Sequence, residues 1–192
     1  MNAEDLEQLK SRAKAGDPEA QFQLSKYYIS QKDTVNAIYW LKAASEKQHV
    51  YAMTNLAIAY YYGDGVPQSY QMAWPLFLAA SQRGNLSAKY YLGLSYIGGN
   101  GLVKNERKGF EILRECAIEG MPWAQLSLAD CYKDGIGTNP DLFEAVSWYA
   151  RAAVQGIEEA GQKFNAIYYS THFTDSKGKQ RLFWFEEEAL KR

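Results

Sequence analysis

Residues 52–65 read AMTNLAIAYYYGDG, residues 88–101 read AKYYLGLSYIGGNG, and residues 124–137 read AQLSLADCYKDGIG. The segments start 36 residues apart and share one pattern: Ala, Leu four residues on, Tyr eight on, then Gly-x-Gly. Working outward, the alanine position continues to Ala20 and Ala160. The fourth-residue position continues to Leu24 and Phe164, and the eighth to Tyr28 and Tyr168. Spacing of 0, +4 and +8 places these side chains on one stripe of a helix, here helix A. A period of 32 to 36 residues is the mark of stacked repeats, because one helical hairpin cannot bury its apolar face alone.

A second helix follows each Gly-x-Gly turn, where glycine supplies the left-handed helix C-terminus. Asp33, Ser69, Asn105 and Asp141 stand at its start and are good N-caps. This helix B carries Ala37, Ala73, Gly109 and Ala145, then Trp40, Leu76, Ile112 and Trp148, then Ala44, Ala80, Cys116 and Ala152. It closes at Gly84, Gly120 and Gly156, with Gln48 in that place in the first repeat. Pro18 and Pro122 fall in the first turn of a helix A, where a missing N–H costs little. Pro75 falls inside a helix B, so that helix is expected to begin late or to kink.

The pattern assigns residues 1–15 to an N-terminal capping helix, with Leu6, Leu9 and Ala13 on one face. Repeats one to four take 16–48, 49–84, 85–120 and 121–156. The first has a turn four residues shorter, without glycine. Residues 157–192 read as a degenerate fifth repeat serving as C-terminal cap. Its helix B, 181–192, puts Trp184 and Phe185 on the frame of Trp148 and Tyr149.

The run Ala-x-x-x-Leu-x-x-x-Tyr-x-x-Gly-x-Gly, followed by Ala-x-x-Trp and Ala-Ala, resembles the Sel1-like repeat family, a relative of the tetratricopeptide repeat. The resemblance implies an all-α right-handed α/α superhelix, a solenoid of helix-turn-helix repeats. It also implies adaptor and scaffold roles of the kind seen in bacterial regulation, secretion and host interaction. Cysteine-rich secreted members pair a helix A Cys with a helix B Cys. Here the position facing Cys116 is Lys89, so Cys116 and Cys131 are expected to be free thiols.

Composition narrows the function. At 192 residues the chain reads as a single domain. Lys plus Arg number 21 against 22 Asp plus Glu, which leaves no field strong enough to make nucleic acid the partner. Hydrophobic residues at 47% and charged residues at 22% mark a globular chain. There is no apolar run of membrane-spanning length, and the polar start carries no secretory signal, so the protein is expected to be cytoplasmic and not membrane-inserted. Two cysteines make no disulfide framework, which fits a reducing compartment.

No catalytic constellation emerges, and no enzyme activity is expected. The glycine turns follow helices and lack a following Lys-Ser/Thr, so they are caps rather than phosphate loops. Ser176-Lys177-Gly178-Lys179 matches Ser-x-x-Lys only formally and stands alone. β-Lactam hydrolysis, linked to the cysteine-rich relatives, is the remote enzymatic alternative. His49 and His172 are far apart in sequence and lack neighbouring Cys or His, so neither metal nor cofactor is expected. What remains is a non-enzymatic module, monomeric when unbound, that binds a protein domain or peptide. The alternative role is an immunity or inhibitor protein that neutralises one toxin or effector.

Helix geometry nominates the binding face. Positions −1, +2, +6 and +9 of helix A lie opposite the 0, +4, +8 stripe and would line the concave side of the solenoid. They are Phe22 and Lys26 in the first repeat, and Tyr51, Thr54, Ile58 and Tyr61 in the second. The third contributes Tyr90 and Leu94, and the fourth Trp123, Asp130 and Lys133. Tyr90 and Trp123 are the expected anchors of an apolar centre with a polar rim.

Overall fold

The computed structural model describes residues 3–170; the expected helix B of the fifth repeat, with Trp184 and Phe185, lies outside them, as do His172 and Ser176. Ten helices and no strand occur among the described residues. The N-terminal helix is α1 (Ala3–Lys14). Helix A of successive repeats is α2 (Pro18–Ser30), α4 (Val50–Tyr62), α6 (Leu86–Gly98), α8 (Pro122–Asp134) and α10 (Glu158–Ser170). Helix B is α3 (Thr34–Glu46), α5 (Tyr70–Ser81), α7 (Glu106–Ile118) and α9 (Leu142–Val154). The chain divides into two compact units, one ending at Lys104 with α6 and one starting at Asn105 with α7.

Local chemistry sets the helix ends. The side chains of Asp33, Ser69, Asn105 and Asp141 each accept a backbone N–H from the first turn of helix B. Helix A has caps of its own: Asp17 accepts from Glu19 and Ala20, His49 from Ala52, and Asn85 from Ala88. Gly63, Gly99 and Gly135 end α4, α6 and α8 in the left-handed conformation. The second glycine of each turn has a different task. A Cβ on Gly101 would sit 2.3 Å from the Tyr70 carbonyl oxygen, and one on Gly137 2.3 Å from that of Glu106. Its bare backbone lets the turn lie on the first turn of the preceding helix B. Where the first repeat lacks glycine, Lys32 and Gln48 take positive φ themselves, at 58° and 63°.

The late start allowed for at Pro75 does not occur. Helix α5 runs without interruption from Tyr70, directly after its Ser69 cap, to Ser81. The carbonyl left without a donor belongs to Gln71, and both residues are exposed, so it is not buried away from solvent.

In the first unit each helix packs on the next, α1 on α2 through to α5 on α6; in the second, α7 packs on α8, α8 on α9 and α9 on α10. The alanines of the 0 position, Ala20, Ala52, Ala88, Ala124 and Ala160, are all buried, as are Leu24, Leu56, Leu92 and Leu128. So are the small residues of helix B, from Ala37 and Ala44 to Ala145 and Ala152. The tyrosines at +8 are only half-buried, at the edge of the core. Gln21 donates its amide to the Ala13 carbonyl at 3.1 Å, and Gln125, in the same frame, donates to Ala117 at 3.2 Å. Ala13 of α1 and Ala117 of α7 thus play one part, and α1 packs on α2 in the place that a preceding helix B takes in a later repeat.

Candidate functional site

An internal helix A packs against two helices B, its own and the preceding one, as α4 does against α5 and α3. The 0, +4, +8 stripe marks one flank. The other is +1 and +5, occupied by buried Gln21 and Ser25 in α2, Met53 and Ala57 in α4, and Gln125 and Ala129 in α8. Two flanks turn the free face by roughly 40° from the position that a single stripe indicates. Along α4 the free face is therefore marked by exposed Tyr51 and Tyr62, at −1 and +10, with half-buried Asn55 and Ile58, at +3 and +6, between them.

This rotation corrects part of the nominated set. Thr54 is 3% exposed and returns its hydroxyl to the Val50 carbonyl at 3.0 Å, so it belongs to the interior. Tyr61 is half-buried, accepts a bond from the Asn100 amide at 2.9 Å, and lies 5.6 Å from Tyr91 and 5.1 Å from Tyr70 between ring centroids. Burial pushes its phenol up, only partly opposed by Asn100. Tyr90 and Leu94 are half-buried on α6, with Tyr90 edge-on to Tyr91 at 5.3 Å. Tyr62, which the single-stripe geometry missed, is 60% exposed and meets Tyr91 edge-on at 6.1 Å.

Three nominated residues of the first unit do converge. Phe22 of α2 stacks on the His49 ring at 4.7 Å and on Tyr51 of α4 at 6.1 Å. Lys26, one turn after Phe22, holds its ammonium 5.7 Å from the Phe22 centroid. His49 joins the two repeats: its Nδ1 accepts the Ala52 N–H at 3.2 Å, so its proton sits on Nε2, 2.9 Å from the Glu19 carboxylate. Glu19 is held below the usual carboxylate range, first by the Gln23 amide and then by His49. The signal for His49 was its frame position, shared with the capping residues Asp17 and Asn85. Beside this platform a cleft of about 450 Å³ opens between α1 and α2, lined by Asp5, Gln8, Leu9, Arg12, Gln23, Lys26 and Tyr27.

In the second unit Trp123 is 52% exposed at the start of α8. Asp130 is engaged internally. It accepts the buried Tyr149 hydroxyl, and both its oxygens lie 2.9 Å from Lys163 of α10. Burial and then Asp130 drive the Tyr149 phenol far up. Lys133 pairs with its neighbour Asp134 at 3.4 Å. Among the described residues no three His, Cys, Asp or Glu side chains converge as a metal site would need, and no helix is long and apolar enough to cross a membrane.

These features define an all-α helical-repeat protein whose exposed helix A faces are rich in aromatics. The Sel1 repeat model matches residues 18–49, 50–85, 86–119 and 124–157, and the chain belongs to the Sel1 repeat family, a protein–protein interaction module. An uncharacterized protein of Neisseria meningitidis is 27% identical over 92% of this chain, and chitin synthase regulatory factor 3 of Schizosaccharomyces pombe 28% identical over 83%. The chain spans 36% and 18% of their lengths. Among solved structures it is similar to a protective antigen of uropathogenic Escherichia coli with an SLR fold, at 32% identity and TM-score 0.77. That match covers 85% of this chain and 36% of the antigen. A Sel1 repeat protein of Oxalobacter formigenes gives 29% identity and TM-score 0.77 over 83% of this chain and 65% of its own.

Proposed function

We propose that the protein is an adaptor that binds a protein partner through the exposed faces of its helices A, without catalysis of its own. The observation that carries this is α4: it contains no charged residue, yet exposes Tyr51 and Tyr62, with half-buried Ile58 between them and Tyr51 at 62% exposure. Interfaces are centred on such aromatic, charge-poor patches. One relative's name, chitin synthase regulatory factor, is that of a protein acting on another protein, which accords with this reading. Tyr90 on α6 and Trp123 on α8 are proposed as further anchors, each in its own unit. Cys116 and Cys131, neither of them in a disulfide, support a reducing, cytoplasmic setting.

Affinity capture from native lysate tests the proposal. A partner held by the wild type should be lost with Ile58→Asp and kept with Val35→Asp, a charge placed on exposed helix B surface. Equal capture by both variants contradicts it. Tyr90→Ala and Trp123→Ala should each weaken that partner by about 2 kcal/mol while leaving melting temperature nearly unchanged.

A further inference from the structure

We propose that His49 is a pH-sensitive joint between the first two repeats: a proton taken up at Nδ1 ends its cap on α4 and turns its ring off the Phe22–Tyr51 platform. The inference concerns the free protein and stands whether or not a partner binds there.

The residue before helix A is Asp17, His49, Asn85 and Met121 in successive repeats, and the first three cap their helix through the side chain. Of these types only histidine ordinarily changes charge in the mildly acidic range. A neutral imidazole accepts at one nitrogen and donates at the other, whereas its cation donates at both. Nδ1 of His49 accepts the Ala52 N–H at 3.2 Å, and Nε2 lies 2.9 Å from the Glu19 carboxylate. Protonation therefore sets two donors face to face at Nδ1 while strengthening the contact at Nε2. It also places a cation at the N-terminus of α4, against the helix dipole. The Glu19 side chain is 56% exposed and can follow the ring, so the ring keeps Glu19 and gives up Ala52. Turning takes it off Phe22, which it stacks at 4.7 Å, and Tyr51, at 6.1 Å.

The surrounding charges leave Nδ1 without a replacement. Among the described residues, Glu19 of α2 is the one charged group within ion-pairing distance of the ring. Also on the α2 side, Asp17 is paired with Arg12, and the Lys26 ammonium is 5.7 Å from the Phe22 ring centre. Glu46 and Lys47, at the end of α3, are exposed, and Arg83, just after α5, is bonded to Gln48. None of them is bonded to Nδ1.

An NMR titration of the full-length, isotope-labelled protein from about pH 8 to about pH 5 tests the joint. It compares the wild type with His49→Asn, which caps as Asn85 does but does not titrate. In the wild type the Ala52 amide should shift with the same midpoint as the His49 ring. Its hydrogen-exchange protection, corrected for the intrinsic pH dependence, should fall about fivefold across that midpoint, the scale of one N-cap. The Phe22 and Tyr51 ring signals should move with it. In His49→Asn all three should stay flat. An Ala52 amide that stays flat while His49 titrates overturns the inference, as does the same movement in His49→Asn or a His49 ring that takes up no proton in this range.

Discussion

His49 and Glu19 lock the second repeat to the first: the ring that caps α4 through Nδ1 holds the Glu19 carboxylate 2.9 Å from Nε2. Replacing His49 by Ala removes cap and bridge together and should cost about 1 kcal/mol, while Asn, itself a good cap, should recover part of it. Urea unfolding of the two variants measures the difference.

The same contact has an acid signature. The folded-state pKa of Glu19 lies below its unfolded value, so its contribution is present above the unfolded value and fades as pH falls through the folded one. Wild type should exceed Glu19→Gln in stability at neutral pH, and the gap should close on acidification through the carboxylate range. Urea midpoints across that range follow it.

Gly101 and Gly84 both have positive φ, but only Gly101 lies against backbone. Nothing lies within 4 Å of a Cβ on Gly84. Gly84→Ala should therefore show only the left-handed penalty of about 1–2 kcal/mol, and Gly101→Ala clearly more, because the turn must lift off Tyr70. Chemical denaturation of the pair decides this.

Gln48 bears that penalty in the native chain, with φ of 63°. Gln48→Gly should stabilise the protein by up to about 1 kcal/mol. Loss of the bond from Arg83 to the Gln48 side chain reduces the gain, so the shift in melting temperature should be positive and small.

Cys116 and Cys131 are buried, and burial pushes the Cys131 thiol up to about 12. Both should resist a thiol reagent in the native state and react at once in denaturant. Mass measurement before and after unfolding checks it.

The repeat was legible because stacking repeats the same environment: Ala at the tightest helix contact, Leu beneath it, and a capping Asp, Ser or Asn at each helix B start. The second buried flank was not. Its residues, Gln21, Met53 and Gln125 among them, share no chemistry, since Gln can be buried when it finds a carbonyl in the preceding helix. Missing that flank misplaced Thr54 and overlooked Tyr62. The role of the second turn glycine was also hidden, because the close approach to Tyr70 or Glu106 joins residues about 30 apart in sequence. His49 looked inert for a related reason: its partners come from the preceding repeat.

Binding through the helix A face is the central claim, and site-specific photocrosslinking in living cells tests it most directly. A benzophenone amino acid replaces Tyr51 or Ile58 on α4, or Val35 on α3 as control, and adducts are identified by mass spectrometry. The predicted result is one dominant protein adduct from positions 51 and 58 and none from 35. An adduct from 35 alone would place the partner on helix B and contradict the account.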